Sequence, residues 1–265
     1  MYATSYINPA KTAEAVKAMK QASDGKFLAG GMTLIPTLKA RLAAPDMLID
    51  LAQCGLSDIN IKADIIEIGA MTNHAEVASS ESVADMIPAL AILAGGIGDR
   101  QVRFRGTIGG SLANNDPAAC YPAAALALGA TIHTHQRDIE AHKFFVGLFE
   151  TALKEDEIIT SISFPRPQAA AYVKYNNPAS RYALVGVFVA RFDDNDIRVA
   201  VTGAGAGGVF RWEDAERALA QDFTSAALER VVANPDILMS DIHAAADYRA
   251  HLIGVMTRRA VTNCV

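Results

Sequence analysis

The chain has 265 residues, 51% of them hydrophobic and 20% charged, with a formal net charge of −5. That is an ordinary globular balance with ample material for a core, over a length that fits two or three modest domains or one large one. The acidic balance and the lack of any dense Lys/Arg run argue against nucleic acid as a partner. No apolar run is long enough to span a bilayer, and MYATSYINPAKTAEAVKAMK carries no signal-peptide core, so a cytoplasmic protein is expected.

The first segment, residues 1–55, reads as helix, strand, turn, helix, strand. Residues 11–22 (KTAEAVKAMKQA) set Ala13, Val16 and Met19 at helical spacing, and Asp24-Gly25 stops the run. KFLAG (26–30) is a short strand, TLIPTLKARL (33–42) a helix and DMLIDL (46–51) a strand. Pro36 falls early in the second helix, where its missing N–H costs least. Between strand and helix stand Gly30-Gly31. Two readings are open there: a helix N-terminus whose bare N–H groups take an anion such as a phosphate, or a tight bend that needs glycine only for its backbone freedom.

The second segment, residues 56–165, starts with a strand at DIIEIGA (64–70), followed by an Ala/Leu-rich helix over 83–98. RGTIGGSLANNDPAACYPAAALALGATIHT follows; residues 117–128 read as a helix with Asp116 as N-cap and Pro117 at its first position. Strands are expected at 130–134, 138–141 and 157–165, and the Pro-Arg-Pro at 165–167 marks a boundary. The third segment, residues 168–265, opens with strands at 171–175, 182–192 and 196–203, then helices at 213–221, 225–233 and 245–261. Strands first and helices later argue for an α+β fold.

Three cysteines, Cys54, Cys120 and Cys264, lie too far apart in sequence for a CxxC clamp. A zinc site or a cysteine-held iron–sulfur cluster is not expected, and an odd, scattered set of thiols suits a reducing compartment. His133 and His135 share a strand face with His142 close by, but no carboxylate or thiolate set completes a metal site. VAVTGAGAGGVF places Gly203, Gly205 and Gly208 at the spacing of a Rossmann fingerprint. No apolar strand follows to close a βαβ unit, so the glycines read as a flexible turn. Asp50 and Asp58 read as turn and cap groups.

One internal echo remains: AGGMTL against IGGSLA, each a glycine pair beside a hydroxyl, Thr33 or Ser111. Two such loops from adjoining domains offer backbone N–H donors to the two phosphates of one dinucleotide. AGGMTLIP and TIGGSLANNDPAA resemble the two flavin-binding signatures of the FAD-binding medium subunit of aerobic molybdenum hydroxylases, the carbon monoxide dehydrogenase medium subunit and xanthine dehydrogenase FAD-binding family. IGAMTNHAEVASS, PASRYALVGVFVA and DIHAAADYRAHLIGVMTRRAV are similar to that family too, so the resemblance covers nearly the whole chain.

The resemblance implies a three-domain, PCMH-type (vanillyl-alcohol-oxidase-like) α+β flavoprotein fold with FAD between the first two domains and a CO-dehydrogenase-flavoprotein-like C-terminal α+β domain. It implies that Ala29, Gly30, Gly31, Met32, Thr33 and Leu34 grip the pyrophosphate, with Lys26 a basic position just before them. Thr107, Ile108, Gly109 and Gly110 fall beside the pyrophosphate and ribityl chain, with Asn115 and Asp116 near the latter. Lys174 and Tyr182 align with third-domain positions near the isoalloxazine ring. From the residues alone, Asp116 is equally a helix cap, Lys174 a solvated strand lysine and Tyr182 a core residue. Met32 stands where many relatives carry His or Gln, and Cys120 where many carry Asp, so side-chain contacts made there by relatives are lost or replaced.

The implied function is electron transfer. A large molybdenum-cofactor subunit oxidises the substrate, a small subunit with [2Fe–2S] clusters relays electrons, and this chain passes them through FAD to an acceptor, with no acid–base side chain essential. A self-sufficient FAD oxidoreductase of the same fold and a non-catalytic nucleotide-binding subunit are the alternatives.

Overall fold

The computed structural model describes residues 1–193 and 196–264. It contains three main sheets and one small hairpin, with helices packed between them. The N-terminal unit comprises β1 (Ser5–Ile7), α1 (Thr12–Gln21), β2 (Gly25–Leu28), α2 (Leu34–Lys39) and β3 (Met47–Asp50). Its three strands run parallel in the order β1-β3-β2. α1 crosses over one side, and Ala15, Ile49 and Leu51 are buried with Ile158 from the next unit. β1 is absent from the sequence reading; three residues are too few for alternation to register.

The middle unit runs through β4 (Ile59–Lys62), β5 (Ile65–Gly69), α3 (His74–Ser79), α4 (Glu81–Met86), α5 (Pro88–Gly95), α6 (Arg100–Arg105), α7 (Ile108–Asn114) and α8 (Tyr121–Leu128). It continues with β6 (Thr131–Thr134), β7 (Asp138–Glu140), α9 (Ala141–Phe144), β8 (Phe145–Gly147), β9 (Glu150–Thr151) and β10 (Ile159–Pro165). Five strands form an antiparallel sheet in the order β4-β5-β10-β6-β7, and β8 pairs with β9 apart from it.

Two expectations fail in this unit. The single helix over 83–98 is two helices, because Pro88 forces Ile87 out of helical geometry (φ −145°, ψ 77°) and then serves as the first residue of α5. The helix expected from Pro117 begins at Tyr121 instead, and Asp116 does not cap it. Its Oδ1 accepts the Ala118 N–H at 2.8 Å, making a local Asx turn that holds residues 116–120 as a loop.

The C-terminal unit comprises β11 (Ala169–Asn176), β12 (Ala183–Arg191), β13 (Ile197–Thr202), β14 (Phe210–Arg211), α10 (Glu213–Gln221) and α11 (Ala246–Asn263). The strands form an antiparallel meander, β11-β12-β13-β14. All but the last residue of β12 are buried, because both faces of the sheet are covered. Val185, Val187 and Val189 pack with α10 and α11, whereas Phe188 and Ala190 join the core of the middle unit beneath α5 and α8. The helix expected over 225–233 is only a 3₁₀ turn at Ala226–Leu228. The glycines Gly203 and Gly208 take φ of +81° and +101° and lead into the antiparallel β14, which is turn geometry and not a βαβ crossover.

Candidate functional site

Where β2 gives way to α2 and where α6 gives way to α7, the two glycine pairs meet. A Cβ on Gly30 would overlap the Arg105 carbonyl oxygen and lie 2.9 Å from Gly106 Cα. A Cβ on Gly110 would lie 2.9 Å from Thr107 Oγ1 and 3.5 Å from Ala29 Cβ. Two lengths of main chain from different units of the fold are thus in direct contact. They border a cavity of about 540 Å³ that is also walled by the third sheet, a size that suits a substantial organic ligand.

Thirteen of the fifteen residues singled out from the sequence line this cavity: Lys26, Ala29, Gly30, Gly31, Met32, Thr33, Leu34, Thr107, Gly109, Gly110, Asp116, Lys174 and Tyr182. Ile108 and Asn115 do not. Ile108 is fully buried in the middle core. Asn115 is 2% exposed and has left-handed geometry (φ 42°) as the C-cap of α7. Its Nδ2 donates at 2.8 Å to both the Gly147 and Glu150 carbonyls, and its own carbonyl accepts from Phe149 N–H. Asn115 pins the β8–β9 hairpin and does not face the cavity.

The two loops are not equivalent. Gly31 has φ +73°, and a Cβ there would also press on Ile35 and Leu28. Among the described residues, the N–H groups of Gly30, Gly31, Met32, Thr33 and Leu34 donate to no protein acceptor. They form a run of free donors in front of α2, the arrangement that takes an anion. In the second loop every corresponding donor is engaged. Ile108 N–H bonds Thr72 O at 3.1 Å, Gly109 N–H bonds Ala70 O at 2.9 Å, Gly110 N–H bonds Thr107 Oγ1 at 3.1 Å and Ser111 N–H bonds Thr107 O at 3.0 Å. The expectation that both loops present free amides is therefore corrected. The second glycines let segment 106–109 lie against segment 70–74: a Cβ on Gly109 would lie 2.6 Å from Ala70 Cβ.

At the wall formed by the third sheet, Lys174 Nζ donates to Gly96 O at 2.7 Å and Arg181 O at 3.1 Å, and lies 3.6 Å from Cys120 Sγ. It is not a freely solvated strand lysine: carbonyls of the middle and C-terminal units hold its ammonium at the cavity, and among the described residues no carboxylate is paired with it. Tyr182 precedes β12 and is half exposed; burial, with Asp116 and Cys120 nearby, raises its phenol above the ordinary range. Lys26 is close to Asp24, 3.2 Å away, at the outer rim. The loop carrying Asp116 is fixed from behind, where Thr202 Oγ1 contacts the Pro117 and Ala119 carbonyls at 2.9 and 2.7 Å.

Among the lining groups that escaped the sequence reading are His74 and Glu157. His74 is 5% exposed, and its Nδ1 has no partner. Burial, reinforced by the charge of Arg103, lowers its pKa to about 4. Glu157 is 4% exposed; against the upward effect of burial, Arg137, the Lys154 N–H and Thr134 pull its carboxyl down to about 2. A lone His after Asn73 and a Glu at a strand edge carry no motif, so only the tertiary structure identifies them. His133 bridges Asp138 and Ser163, and among the described residues no group of three or more His, Cys, Asp or Glu is arranged to hold a metal. Among the described residues no helix is long and apolar enough to cross a membrane.

The sequence profile of the FAD binding domain in molybdopterin dehydrogenase matches residues 2–167. The nicotine 6-hydroxylase medium subunit of Paenarthrobacter nicotinovorans is 35% identical, with 97% of this chain and 95% of the relative covered. The carbon monoxide dehydrogenase medium chain of Hydrogenophaga pseudoflava is 34% identical over the same shares of the two chains. The structure of carbon monoxide dehydrogenase from Hydrogenophaga pseudoflava that lacks the Mo-pyranopterin moiety superposes with a TM-score of 0.88 at 32% identity, covering 98% of this chain and 96% of the other.

Proposed function

We propose that this chain, which belongs to the family of FAD binding domains in molybdopterin dehydrogenases, receives electrons from [2Fe–2S] clusters of a small partner subunit and passes them through FAD to a terminal acceptor. It is a medium, FAD-carrying subunit of the molybdenum hydroxylase type and thus an FAD-dependent oxidoreductase subunit with the α+β FAD-binding fold. Within this reading a large molybdenum-cofactor subunit holds the substrate, and the complex works in the cytoplasm. Residues 1–55 and 56–165 act as the two FAD-binding domains and 168–265 as a third that closes the cavity.

The observation that carries the reading is the run of free amides from Gly30 to Leu34, set against the second glycine loop in one cavity. The donor set suits a dinucleotide: backbone N–H groups for a pyrophosphate, hydroxyls of Thr107 and Ser111 for a polyol, and an ammonium at the far wall. Flavin accepts electrons singly or in pairs and so joins one-electron centres to two-electron chemistry. In this assignment Ala29, Gly30, Gly31, Met32, Thr33 and Leu34 hold the pyrophosphate through their backbone, with Lys26 adding positive charge at the rim. Thr107, Gly109 and Gly110 shape the neighbouring wall, and Asp116 offers a carboxylate to the ribityl hydroxyls. Lys174, held by two carbonyls, places a positive charge where electrons arrive. Tyr182 keeps its proton and shields that end of the cavity from water.

The test is co-expression with candidate partner chains. The reading expects a three-subunit complex whose flavin is bleached by substrate, and an isolated chain that binds FAD but oxidises no substrate. Turnover of a small organic substrate by the isolated chain would overturn it in favour of a self-sufficient oxidoreductase.

A further inference from the structure

His74 lies where the two antiparallel segments 70–74 and 106–109 are strapped together. Its own N–H bonds the Gly106 carbonyl at 2.9 Å, and Ile108 N–H bonds Thr72 O beside it. Asn73 caps α3 through a reciprocal capping box with Glu76, which fixes the backbone that carries the imidazole. The ring packs near Tyr121, with centroids 5.3 Å apart. The ring also lies against Gly106, where a Cβ would come within 2.5 Å of Nε2 and 2.9 Å of Cδ2. The side chain is therefore held tightly, yet among the described residues no side-chain hydrogen bond explains why it is a histidine.

The two ring nitrogens differ. Nδ1 is sealed from solvent and unpartnered, whereas Nε2 lies beside Gly106 at the cavity wall. A buried N–H without an acceptor is rarer and costlier than a buried lone pair without a donor. The favoured neutral tautomer accordingly leaves Nδ1 as a bare acceptor and puts the hydrogen on Nε2.

We propose that His74 is a further cofactor-binding residue, whose Nε2–H donates to an oxygen of bound FAD. This rests on the reading of the cavity as the FAD site. It gives the second glycine motif a polar donor that its own engaged amides do not supply. It also gives Gly106 a reason to be glycine, because any side chain there displaces the imidazole.

The experiment titrates FAD into the full chain and follows flavin fluorescence, with circular dichroism of each apo variant as a fold control. His74→Leu should weaken FAD binding about tenfold, the worth of one hydrogen bond of ~1.4 kcal/mol. His74→Gln, which can place an N–H near the Nε2 position, should recover most of that loss. Gly106→Ala should weaken binding severalfold in the wild-type background and much less in the His74→Ala background, where only the 3.2 Å approach of its Cβ to the Val102 carbonyl remains, a coupling that a cycle of the four proteins isolates. In ¹⁵N spectra of labelled histidine, His74 should show the Nε2–H tautomer and an Nε2 shift on FAD addition. Unchanged affinity in a folded His74→Leu variant would overturn the proposal, as would equal effects of Gly106→Ala in both backgrounds or an Nε2 resonance indifferent to FAD. Failure of the wild-type chain to bind FAD would instead sink the reading of the cavity itself.

Discussion

Gly30 lies against the main-chain carbonyl of Arg105, with no room between them for a Cβ. This contact joins the parallel N-terminal sheet to the helix that leads into the second glycine loop, so the cavity exists only while the two units touch. Gly30→Ala forces that contact apart. The expected result is a loss of about 1–3 kcal/mol of stability in urea denaturation, typical of overpacking, with flavin lost in parallel. Full stability and full flavin content in the variant would show that the contact does not organise the site.

Asn115 separates a structural role from a cofactor role. With two carbonyls bonded to its amide and its backbone left-handed, Asn115→Ala should cost about 2–4 kcal/mol through orphaned carbonyls and an unfavourable φ. FAD affinity of the fraction that remains folded should be unchanged. A folded, stable variant with weakened FAD binding would return Asn115 to the cavity.

Much of this arrangement is legible in the chain itself. The first glycine pair stands out because a strand-like run meets a helix-like run at it, the second because it echoes the first, and the long apolar run of β12 is readable as a strand. The six- and seven-residue helices α3, α6 and α7 are not legible, since one or two turns give periodicity nothing to repeat. The rotated start of α8 is hidden because Asp-Pro serves an Asx turn as readily as a helix cap. Nor can sequence tell that the first loop leaves its amides free while the second engages them; that depends on segment 70–74, some 35 residues away in the chain, lying alongside.

Lys174 is expected to tune the flavin electrostatically. Lys174→Met removes a positive charge and leaves the Gly96 and Arg181 carbonyls without their shared donor. The midpoint potential of the bound flavin should move to more negative values, since negative charge on the reduced ring loses a partner. Spectroelectrochemical titration of wild type, Lys174→Met and Lys174→Arg checks this, and a potential unmoved by the loss of charge would place the lysine elsewhere in function.

Glu157 gives a pH signature. Its folded carboxyl sits at about 2, below the unfolded value, so its contribution is full above about pH 4.5 and is lost as pH falls toward 2. The contribution amounts to roughly 3 kcal/mol from the width of that window. Denaturation free energies measured across this range should fall with pH in the wild type and vary much less in Glu157→Gln. Equal slopes in both proteins would mean that other carboxylates carry the acid sensitivity.

Amide hydrogen exchange with and without FAD tests most directly whether the first loop alone offers its backbone to the diphosphate. Without FAD, the amides of Ile108, Gly109 and Ser111 should already be protected by their carbonyl partners, while Gly31, Met32, Thr33 and Leu34 exchange freely. On addition of FAD, protection should appear at Gly31 through Leu34 and change little at Gly109. Protection gained at Gly109 and Gly110 with none at Gly31 through Leu34 would contradict the account.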